Sequence, residues 1–472
     1  MNNKTLDVAI IGAGSAGLAA LREIRKRTQR FVIINDEPWG TVCARVGCMP
    51  SKLLIEAANA FHRRNTFMEF GIQGADFLKC DIPNVLRRVR RLRDDFVRST
   101  VKTTQDLGER AITGRARLLA PDRLEVNGQE LHAHNIIIAT GSSPVVPIPW
   151  RVLGNRLLTT DTLFEQETLP ARMAVLGLGP VGIEIAQALS RLGIEVTGLG
   201  SNPAIAGLTD PQVCEVAIEL LRQEFPLQLG DKAELTATRE GLSVHSGTIS
   251  IAVDSTLAAL GRQPNISNLG LETLGVPLDN YGMPPINPAT LQVSDLRVFM
   301  AGDANAQTPI LHEAADDGYI AGLNATSSIP VCFKRRTPLA IVFSDPSIAV
   351  VGSHYQALDH AKTLVGTVNF DRQGRARISQ CNKGILNIYA EMESGRLLGA
   401  EMCAPAGEHL AHLIALAISH SLTVHDLLRM PFYHPVLEEG LRTGLRALAA
   451  QLPAGKQSDL ATCNEFNIDA LD

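Results

Sequence analysis

The strongest constraint on this 472-residue chain is a glycine pattern that occurs twice. Its first copy is Gly12-Ala13-Gly14-Ser15-Ala16-Gly17, which follows the apolar run Val8–Ile11 and precedes the helix-forming stretch Leu18–Lys26. In a strand–turn–helix unit the first glycine permits a tight turn, the second lets a pyrophosphate approach the backbone, and the third lets helix and strand pack closely. The pattern therefore predicts a dinucleotide site at a helix N-terminus.

The second copy is Gly177-Leu178-Gly179-Pro180-Val181-Gly182, between the apolar run Met173–Leu176 and a helical stretch that ends near Leu192. Two such units in one chain imply two bound nucleotides. An acidic residue that holds a ribose diol is expected just after the second strand of such a unit. In the first unit Asn35 stands there and Asp36 follows, so we expect either Asn35 to accept one hydrogen bond or Asp36 to substitute for it.

A pair of cysteines follows the first unit. Cys43 and Cys48 are separated by four residues, and Pro50 stands where the first turn of a helix tolerates proline. Cys48 is therefore expected at or near a helix N-terminus, where the helix dipole stabilises a thiolate, and Cys43 in the loop ahead of it. A disulfide that closes so short a ring removes little unfolded-chain entropy. Redox chemistry explains the pair better than a structural bridge or two unrelated core residues, because a nucleotide fingerprint lies just upstream.

Composition limits the class of protein. A net charge of −5, with 45% hydrophobic and 20% charged residues, is ordinary for a globular chain and gives no reason to expect nucleic acid or an anionic membrane as a partner. The length predicts roughly two to four domains. No apolar run is long enough to span a bilayer, and the strand pattern that begins at Leu6 leaves no room for a signal peptide.

The remaining cysteines and the charge pattern add weaker expectations. Eight cysteines in so long a chain predict a reducing, cytoplasmic setting in which one pair cycles. We predict no metal site. The arginine-rich stretch Arg87–Arg98 predicts a solvated helix face rather than a binding patch. Five other cysteines are expected to be buried small hydrophobes: Cys80, Cys214, Cys332, Cys381 and Cys403.

The cysteine motif resembles that of the class I pyridine nucleotide-disulfide oxidoreductases, and most of all their dihydrolipoamide dehydrogenase branch. It has Gly47 between the cysteines, followed by Pro50-Ser51-Lys52. The resemblance extends from about residue 5 to about residue 450, with its motifs in the family's order. It implies an α/β fold with two Rossmann-like dinucleotide-binding domains, for FAD and NAD(P), plus a C-terminal α+β dimerisation domain. The implied segments are 1–147 (FAD, first part), 148–267 (NAD(P)), 268–336 (FAD, second part), 337–452 (dimerisation) and 453–472 (polar tail).

Three further motifs carry the resemblance. The apolar strand Ile136–Ala139 followed by Thr140-Gly141 resembles the family's second flavin motif. Gly261-Arg262 lies in a stretch that resembles the closing motif of the nicotinamide domain. Gly302-Asp303 ends a strand, and the resemblance implies that this aspartate binds the ribityl chain of FAD.

Cofactor contacts are implied at further positions. The N-terminus of the helix that starts at Leu311 is expected to face the flavin, and His312 is either a ligand or a packed helix residue. Lys52 and Glu184 resemble the family's ion pair beside the flavin and the nicotinamide. The implied contacts outside the two glycine patterns are Asn35, Asp36, Thr41, Lys52, Thr140, Gly141, Glu184, Gly261, Arg262, Gly302, Asp303, Leu311 and His312.

His434-Pro435, with Glu439 five residues after the histidine, resembles the family's acid–base dyad. A helix is expected to begin near Pro435, which would place Glu439 about one turn inside it. The resemblance implies that Cys43 exchanges with the substrate disulfide and that Cys48 forms the charge-transfer thiolate. His434, oriented by Glu439, would move the proton of the substrate thiol, acting on the disulfide of the other chain of a homodimer. A capping histidine with a solvated glutamate is the alternative, and the cysteines and both glycine patterns weigh against it.

Three departures from the family pattern leave questions open. The family's NAD-binding acid would fall at Gly200, and the arginines typical of NADPH enzymes are absent too, so NAD is expected and NADP is not excluded. Arg45 replaces the usual asparagine between the cysteines, and its charge either lowers their pKa values or points to solvent or a surface acid. A single tail cysteine, Cys463, argues against mercuric reductases and large thioredoxin reductases, which need a pair.

The predicted function is electron transfer between a dithiol or disulfide substrate, lipoamide-like, and a nicotinamide nucleotide through FAD and the cysteine pair. Three alternatives stay open: a diaphorase or quinone reductase, another disulfide reductase of the same family, and a non-enzymatic flavin redox sensor.

Overall fold

The computed structural model describes residues 5–453 and 458–460, so Cys463 and most of the predicted tail lie outside the described residues. The chain divides into two compact units. The described residues of the first lie within Met1–Ala57, Lys79–Pro170 and Asp254–Arg335, and those of the second within Ala58–Leu78, Ala171–Val253 and Arg336–Asp472. The division into five functional segments stays a prediction. No helix among the described residues is both long and apolar enough to cross a membrane.

The first unit is built on a mainly parallel sheet. Its parallel strands are, in order across the sheet, Ala111–Thr113, Phe31–Asn35, Leu6–Ile11, Gln129–Ile138 and Val298–Met300. Arg123–Val126 and Ala116–Ala120 extend it in antiparallel fashion. Both faces are covered, because Val8 and Ile10 belong to one buried cluster while Ala9 and Ile11 belong to another. Asn127 and Gly128 have positive φ angles of 53° and 74° and form the predicted hairpin turn.

Helices of the first unit pack closely on this sheet and on one another. The helix Ser15–Ile24 crosses Leu311–Ala325 so tightly that a Cβ atom at Gly318 would lie 2.1 Å from a backbone oxygen of the other helix. The remaining helices that begin in this unit are Val42–Arg45, Cys48–His62, Ile82–Gln105 and Thr160–Leu163. Two short strand pairs complete it: Ser142–Pro144 with Arg262–Pro264, and Leu157–Leu158 with Ser255–Ala258.

The helix Ile82–Gln105 has the predicted solvated basic face only in part, because the side chain of Arg93 is 11% exposed and pairs with Glu165. Leu86 and Val89 are fully buried. Arg87 and Arg91 are exposed, as expected for a charged face that remains in water.

The second unit contains a parallel nucleotide-binding sheet and a larger antiparallel one. The parallel strands are Arg172–Leu176, Glu195–Gly200 and Leu227–Leu229, with the helices Pro180–Arg191 and Pro211–Arg222. A small antiparallel sheet follows: Ala233–Ala237, Leu242–Ser246 and Ile249–Val253. The larger sheet has the order Leu339–Val342, Ser347–Gly352, Leu397–Ala404, Ile385–Glu391 and Thr363–Asn369. Its helices are Gly374–Ile378, Gly407–Ser419, Val424–Leu428 and Glu439–Ala449.

These elements confirm the predicted α/β fold class, with two Rossmann-like nucleotide-binding folds and a C-terminal α+β domain. The prediction for the spare cysteines is only partly right. Cys214 and Cys403 are buried, whereas Cys80 and Cys381 are half-buried and Cys332 is exposed. Cys332 is exposed because it lies in an irregular surface connection after the helix Leu311–Ala325.

Candidate active site

The cysteine pair lies at the junction of two helices. Cys48 is the first residue of the helix Cys48–His62, as its sequence predicts. Cys43 was expected in a loop, and that expectation is wrong, because it lies in the four-residue helix Val42–Arg45. The Thr41 hydroxyl caps this helix by accepting a hydrogen bond from the Ala44 N–H at 3.1 Å.

The two cysteines are half-buried, and the side chain of Cys43 is hydrogen-bonded to that of Cys48. The pKa of Cys43 is raised, first by its hydrogen bond with Cys48 and second by burial, while the positive charge of Lys52 acts in the opposite direction. Cys43 therefore keeps its proton. Cys48, at the start of a helix whose dipole favours an anion, is the sulfur better placed to carry negative charge.

Gly47 makes the close approach of the two cysteines possible. A Cβ atom at this position would lie 3.2 Å from the Cα atom of Cys43 and 3.2 Å from the carbonyl oxygen of Val42. Any side chain here would press on the backbone that carries the first cysteine. The glycine is thus required by packing rather than by an unusual backbone angle.

Arg45 is half-buried and bonds to the backbone just ahead of its own helix. Its Nε donates to the carbonyl oxygen of Gly40 at 3.2 Å. Burial lowers the pKa of Arg45, and the charges that act on it are those of Asp161, Arg93 and Glu165. Of the two alternatives considered for this residue, the acidic charges of Asp161 and Glu165 fit the second, in which Arg45 points to solvent or a surface acid.

The Arg45→Asn variant is consequently expected to change little. We expect kcat/KM for a lipoamide-type disulfide to stay within about twofold, since partly exposed charge pairs contribute little free energy. The pH profile and the ratio of lipoate to lipoamide turnover should also be unchanged. Steady-state kinetics across pH measure this. A profile displaced toward higher pH in the variant would instead show that Arg45 lowers the pKa of the cysteine pair.

The first glycine pattern forms a cradle that fits a dinucleotide such as FAD. Gly12 has a φ of +106°, and a Cβ atom there would lie 2.2 Å from the carbonyl oxygen of Ala139. A Cβ atom at Gly17 would lie 1.9 Å from the Gly12 oxygen, so only glycine permits this helix to pack on the strand. Gly14 caps the helix without a side-chain hydrogen bond, and Ser15 and Ala16 form its first turn. The first-turn N–H groups thus face a position suited to a phosphate.

Thr140 and the side chains of Asn35 and Asp36 also suit a dinucleotide bound at the first glycine pattern. The Thr140 hydroxyl is buried with no hydrogen-bond partner among the described residues, and Gly141 beside it has a φ of +68°. Asn35 Oδ1 accepts from the Ala13 N–H at 2.9 Å and so braces the glycine loop. Because the acceptor of Asn35 is already used there, the exposed Asp36 is the better candidate for a ribose hydroxyl.

Asp303 lies in a network that its motif does not reveal. Ser142 Oγ donates to Asp303 Oδ2 at 2.5 Å, and Arg262 Nε donates to Ser142 Oγ at 2.8 Å. Gly302 is fixed separately, because its N–H donates to Asp317 Oδ2 at 2.9 Å. Ser142 follows directly after Thr140-Gly141, which is the signal that could have identified it. Arg262, predicted as a cofactor contact, therefore also supports the aspartate through a serine.

The helix Leu311–Ala325 begins with the two residues expected near the flavin. Leu311 and the side chain of His312 are each about half-exposed. His312 Nε2 lies 3.7 Å from Glu313 Oε1, a contact that suits a residue at a helix start. Both roles considered for His312, as a ligand and as a packed helix residue, stay open.

The second glycine pattern has the geometry of a nucleotide loop. Gly177 and Gly261 have φ angles of +93° and +92°. Gly179 caps the helix Pro180–Arg191 without a side chain, while Gly182 is buried within it. Val181 at the helix start is 40% exposed, so the face that a nicotinamide nucleotide would approach is open.

Glu184 and Gly200, two positions predicted to face the nicotinamide nucleotide, contact other residues of the protein. Glu184 is buried, and its Oε1 accepts from the Phe343 N–H at 2.9 Å. Lys52 and Glu184 belong to different units, and their pairing stays a prediction. Gly200 ends its strand, and a Cβ atom there would lie 3.1 Å from Leu229 and 3.4 Å from Leu178. An acid at this position would thus require its neighbours to move.

The predicted histidine–glutamate pair is formed. His434 Nδ1 lies 3.0 Å from Glu439 Oε2 and 3.2 Å from Oε1. The His434 side chain is 78% exposed and that of Glu439 only 17%. The pKa of Glu439 is lowered, chiefly by the hydrogen bond with His434, so the carboxylate stays ionised and turns Nδ1 toward itself. Nε2 then faces outward, where it can exchange a proton with a substrate thiol.

The helix after His434 starts later than its sequence predicts. It begins at Glu439, not near Pro435, so Glu439 is its first residue and does not lie one turn inside. Ahead of the helix the backbone bonds differently: the Val436 carbonyl accepts from Gln373 at 2.7 Å, and the Gly440 N–H donates to the carbonyl of Leu437 at 2.9 Å. The Glu439 carboxylate instead bridges His434 and the Val436 N–H at 3.3 Å.

Comparison with known proteins gives consistent matches. The family model described as pyridine nucleotide-disulphide oxidoreductase matches residues 6–318, and the dimerisation domain of the same family matches residues 339–444. The chain is 31% identical to a dihydrolipoyl dehydrogenase of Thermus scotoductus, over 95% of this chain and 98% of that one. It is also 31% identical to a mercuric reductase of Shigella flexneri, over 98% of this chain and 84% of that one.

A solved structure shows the same fold. The HOCl-induced flavoprotein disulfide reductase of Escherichia coli, determined as a Cu(II) complex, superimposes with a TM-score of 0.82 at 23% identity. The match covers 94% of this chain and 99% of that one.

Proposed function

Because the chain belongs to the pyridine nucleotide-disulphide oxidoreductases, an FAD-dependent family, we propose that it passes two electrons between a lipoamide-like dithiol and a nicotinamide nucleotide. The observation that carries this proposal is the hydrogen-bonded pair of Cys43 and Cys48 at a helix start, in the same unit as a glycine cradle that fits a dinucleotide. When bound, FAD supplies two-electron exchange between this pair and the nicotinamide.

The residues of the chain perform the sulfur chemistry. In dithiol oxidation the cysteine pair starts as a disulfide, and a substrate thiolate attacks Cys43, which forms a mixed disulfide and releases Cys48 as a thiolate. The second substrate sulfur then displaces Cys43, so that the substrate leaves as a disulfide and the pair holds the two electrons. His434 accepts the proton of the attacking thiol, and Glu439 holds the imidazole in one orientation.

We propose that the active species is a homodimer, which the match to a dimerisation domain supports. In this arrangement His434 of one chain acts on the cysteine pair of the other through a two-fold interface. Because this site uses a disulfide that is repeatedly reduced and reformed, we propose that the protein works in a reducing setting such as the cytoplasm.

An assay panel tests the substrate class. Dihydrolipoamide, glutathione disulfide and a quinone are compared in steady-state turnover, with the expectation that kcat/KM is highest for dihydrolipoamide. Quinone reduction that persists in Cys43→Ser without any disulfide turnover would identify a diaphorase. No turnover with any of the three would favour a redox sensor. Mercuric ion belongs in the panel because a mercuric reductase is equally similar, although the single tail cysteine, Cys463, argues against it.

We expect a modest preference for NAD over NADP. Nothing cationic stands at Gly200 to pair a 2′-phosphate, but the acid that normally selects NAD is missing as well. Losing one good ribose hydrogen-bond pair costs about 1–3 kcal/mol, so the preference in kcat/KM should be only about tenfold. Measured values for NADH and NADPH test this. A strong NADPH preference would contradict it.

A further inference from the structure

A side-chain amide from a different element reaches the loop that carries His434. Residues 431–438 have no regular secondary structure. Gln373 lies in the excursion that connects the strands Thr363–Asn369 and Ile385–Glu391, and its Nε2 donates to the carbonyl oxygen of Val436 at 2.7 Å. The bonded peptide is thus only two residues from the imidazole.

The amide is fixed at its other end. Gln373 is the N-cap of the helix Gly374–Ile378, and its Oε1 accepts from the Ala376 N–H at 2.6 Å. Its main-chain N–H donates to the carbonyl oxygen of Phe370 at 3.1 Å, and that phenylalanine is fully buried. A Cβ atom at Gly440 would lie 2.8 Å from the Phe370 ring, so the helix that carries Glu439 rests on the same excursion. The amide cannot turn without losing a hydrogen bond.

Hydrogen bonds, rather than burial, hold the imidazole in place. The His434 side chain is 78% exposed, so packing contributes little to its orientation. Glu439 binds His434, the Val436 N–H and, through its other oxygen, Arg442 at 3.0 Å. Val436 therefore links the dyad to Gln373 through two successive peptide groups, one contributing its N–H and the next its carbonyl.

We propose that Gln373 is a positioning residue for the acid–base dyad. It fixes the carbonyl of Val436, and this holds the backbone of the residue whose N–H, together with Arg442, positions the Glu439 carboxylate and so the His434 ring. This inference rests on the proposed role of His434 and adds a residue that touches neither substrate nor cofactor. Small misplacements of a reacting group can lower rates by as much as about 10²-fold, so a remote hydrogen bond of this kind can affect turnover.

The Gln373→Glu variant tests the proposal. The introduced carboxyl retains an oxygen for the helix cap but, when ionised, places an acceptor against the Val436 carbonyl. We expect kcat for dihydrolipoamide to fall about tenfold. Reduction of ferricyanide by NADH, which requires no histidine, should be unchanged. The activity of the variant relative to the parent should rise as the pH falls, because the protonated carboxyl can again donate a hydrogen bond.

Gln380→Glu is the matched control. Gln380 lies in the same excursion, and its Nε2 donates to the carbonyl oxygen of Arg377 at 3.3 Å. The substitution introduces the same charge, and we expect parental turnover and a parental pH profile.

Measuring His434→Ala in parallel distinguishes failure of the positioning role of Gln373 from failure of the proposed function. If His434→Ala is inactive while Gln373→Glu behaves like the control, the positioning role is wrong and the proposed function stands. If His434→Ala itself retains dithiol turnover, the proposed function fails. Equal loss of dithiol and ferricyanide activity in Gln373→Glu would assign this glutamine a purely structural role and overturn the inference.

Discussion

Replacing Cys43 with serine should lower dithiol–disulfide turnover by at least about 10³-fold. The hydroxyl oxygen can neither form a mixed disulfide nor close the ring with Cys48. Reduction of ferricyanide by NADH should persist, because it requires only the nucleotide-binding regions. Steady-state kcat with lipoamide and with ferricyanide, measured on the same preparation, distinguishes the two activities.

Cys332→Ser is the control for this prediction. Cys332 is an exposed thiol that belongs to neither the cysteine pair nor the dyad. We expect turnover equal to that of the parent. That result would show that the loss of a thiol does not by itself lower turnover. Lipoamide turnover by Cys43→Ser near the parental rate would exclude Cys43 as the exchanging sulfur.

Replacing His434 with alanine should lower dithiol oxidation by about 10²–10⁴-fold, the usual contribution of a positioned general base. The loss should be smallest at alkaline pH, where the substrate thiol ionises without assistance. His409→Ala is a matched control, because His409 is 72% exposed and lies 3.9 Å from an acidic side chain, Glu408. A pH-independent loss in His434→Ala would argue against a proton-transfer role.

Mixed dimers test whether two chains share each site. Inactive Cys43→Ser and inactive His434→Ala chains are mixed under conditions that allow proven subunit exchange. A mixed dimer has one intact site if the histidine acts on the partner's cysteine pair, so random exchange should restore about a quarter of parental activity. No recovery would mean that each chain uses its own histidine.

Local backbone requirements explain what could be predicted from the sequence. Gly12 and Gly17 are needed because a side chain would strike the backbone, and such needs leave a fixed spacing in the sequence. The strand Leu6–Ile11 was likewise recognisable, because a parallel strand buried on both faces is continuously apolar. The two nucleotide-binding units followed from these short-range signals, whereas the C-terminal domain was implied by the family resemblance.

Contacts between distant residues explain what could not be predicted. Ser142 meets Asp303 across 161 positions of sequence, and Gln373 meets Val436 across 63. The predicted helix boundary was wrong because spacing does not show how residues 435–438 are bonded; there the Val436 carbonyl bonds to Gln373 and the Glu439 carboxylate bonds to the Val436 N–H. The acidic charges that act on Arg45, those of Asp161 and Glu165, are likewise distant from it in sequence. Spacing within a motif carries no information on such partners.

The absorption spectrum of the two-electron-reduced protein tests the central claim most directly. The structure keeps the proton on Cys43 and leaves Cys48, at the helix start, as the sulfur suited to be a thiolate. Anaerobic reduction of the FAD-loaded parent should therefore produce a long-wavelength charge-transfer band. The band should be absent in Cys48→Ser, whereas Cys43→Ser should show it before any reduction, because its Cys48 thiolate then faces oxidised FAD. A band that survives in Cys48→Ser would contradict the assignment of the two sulfurs.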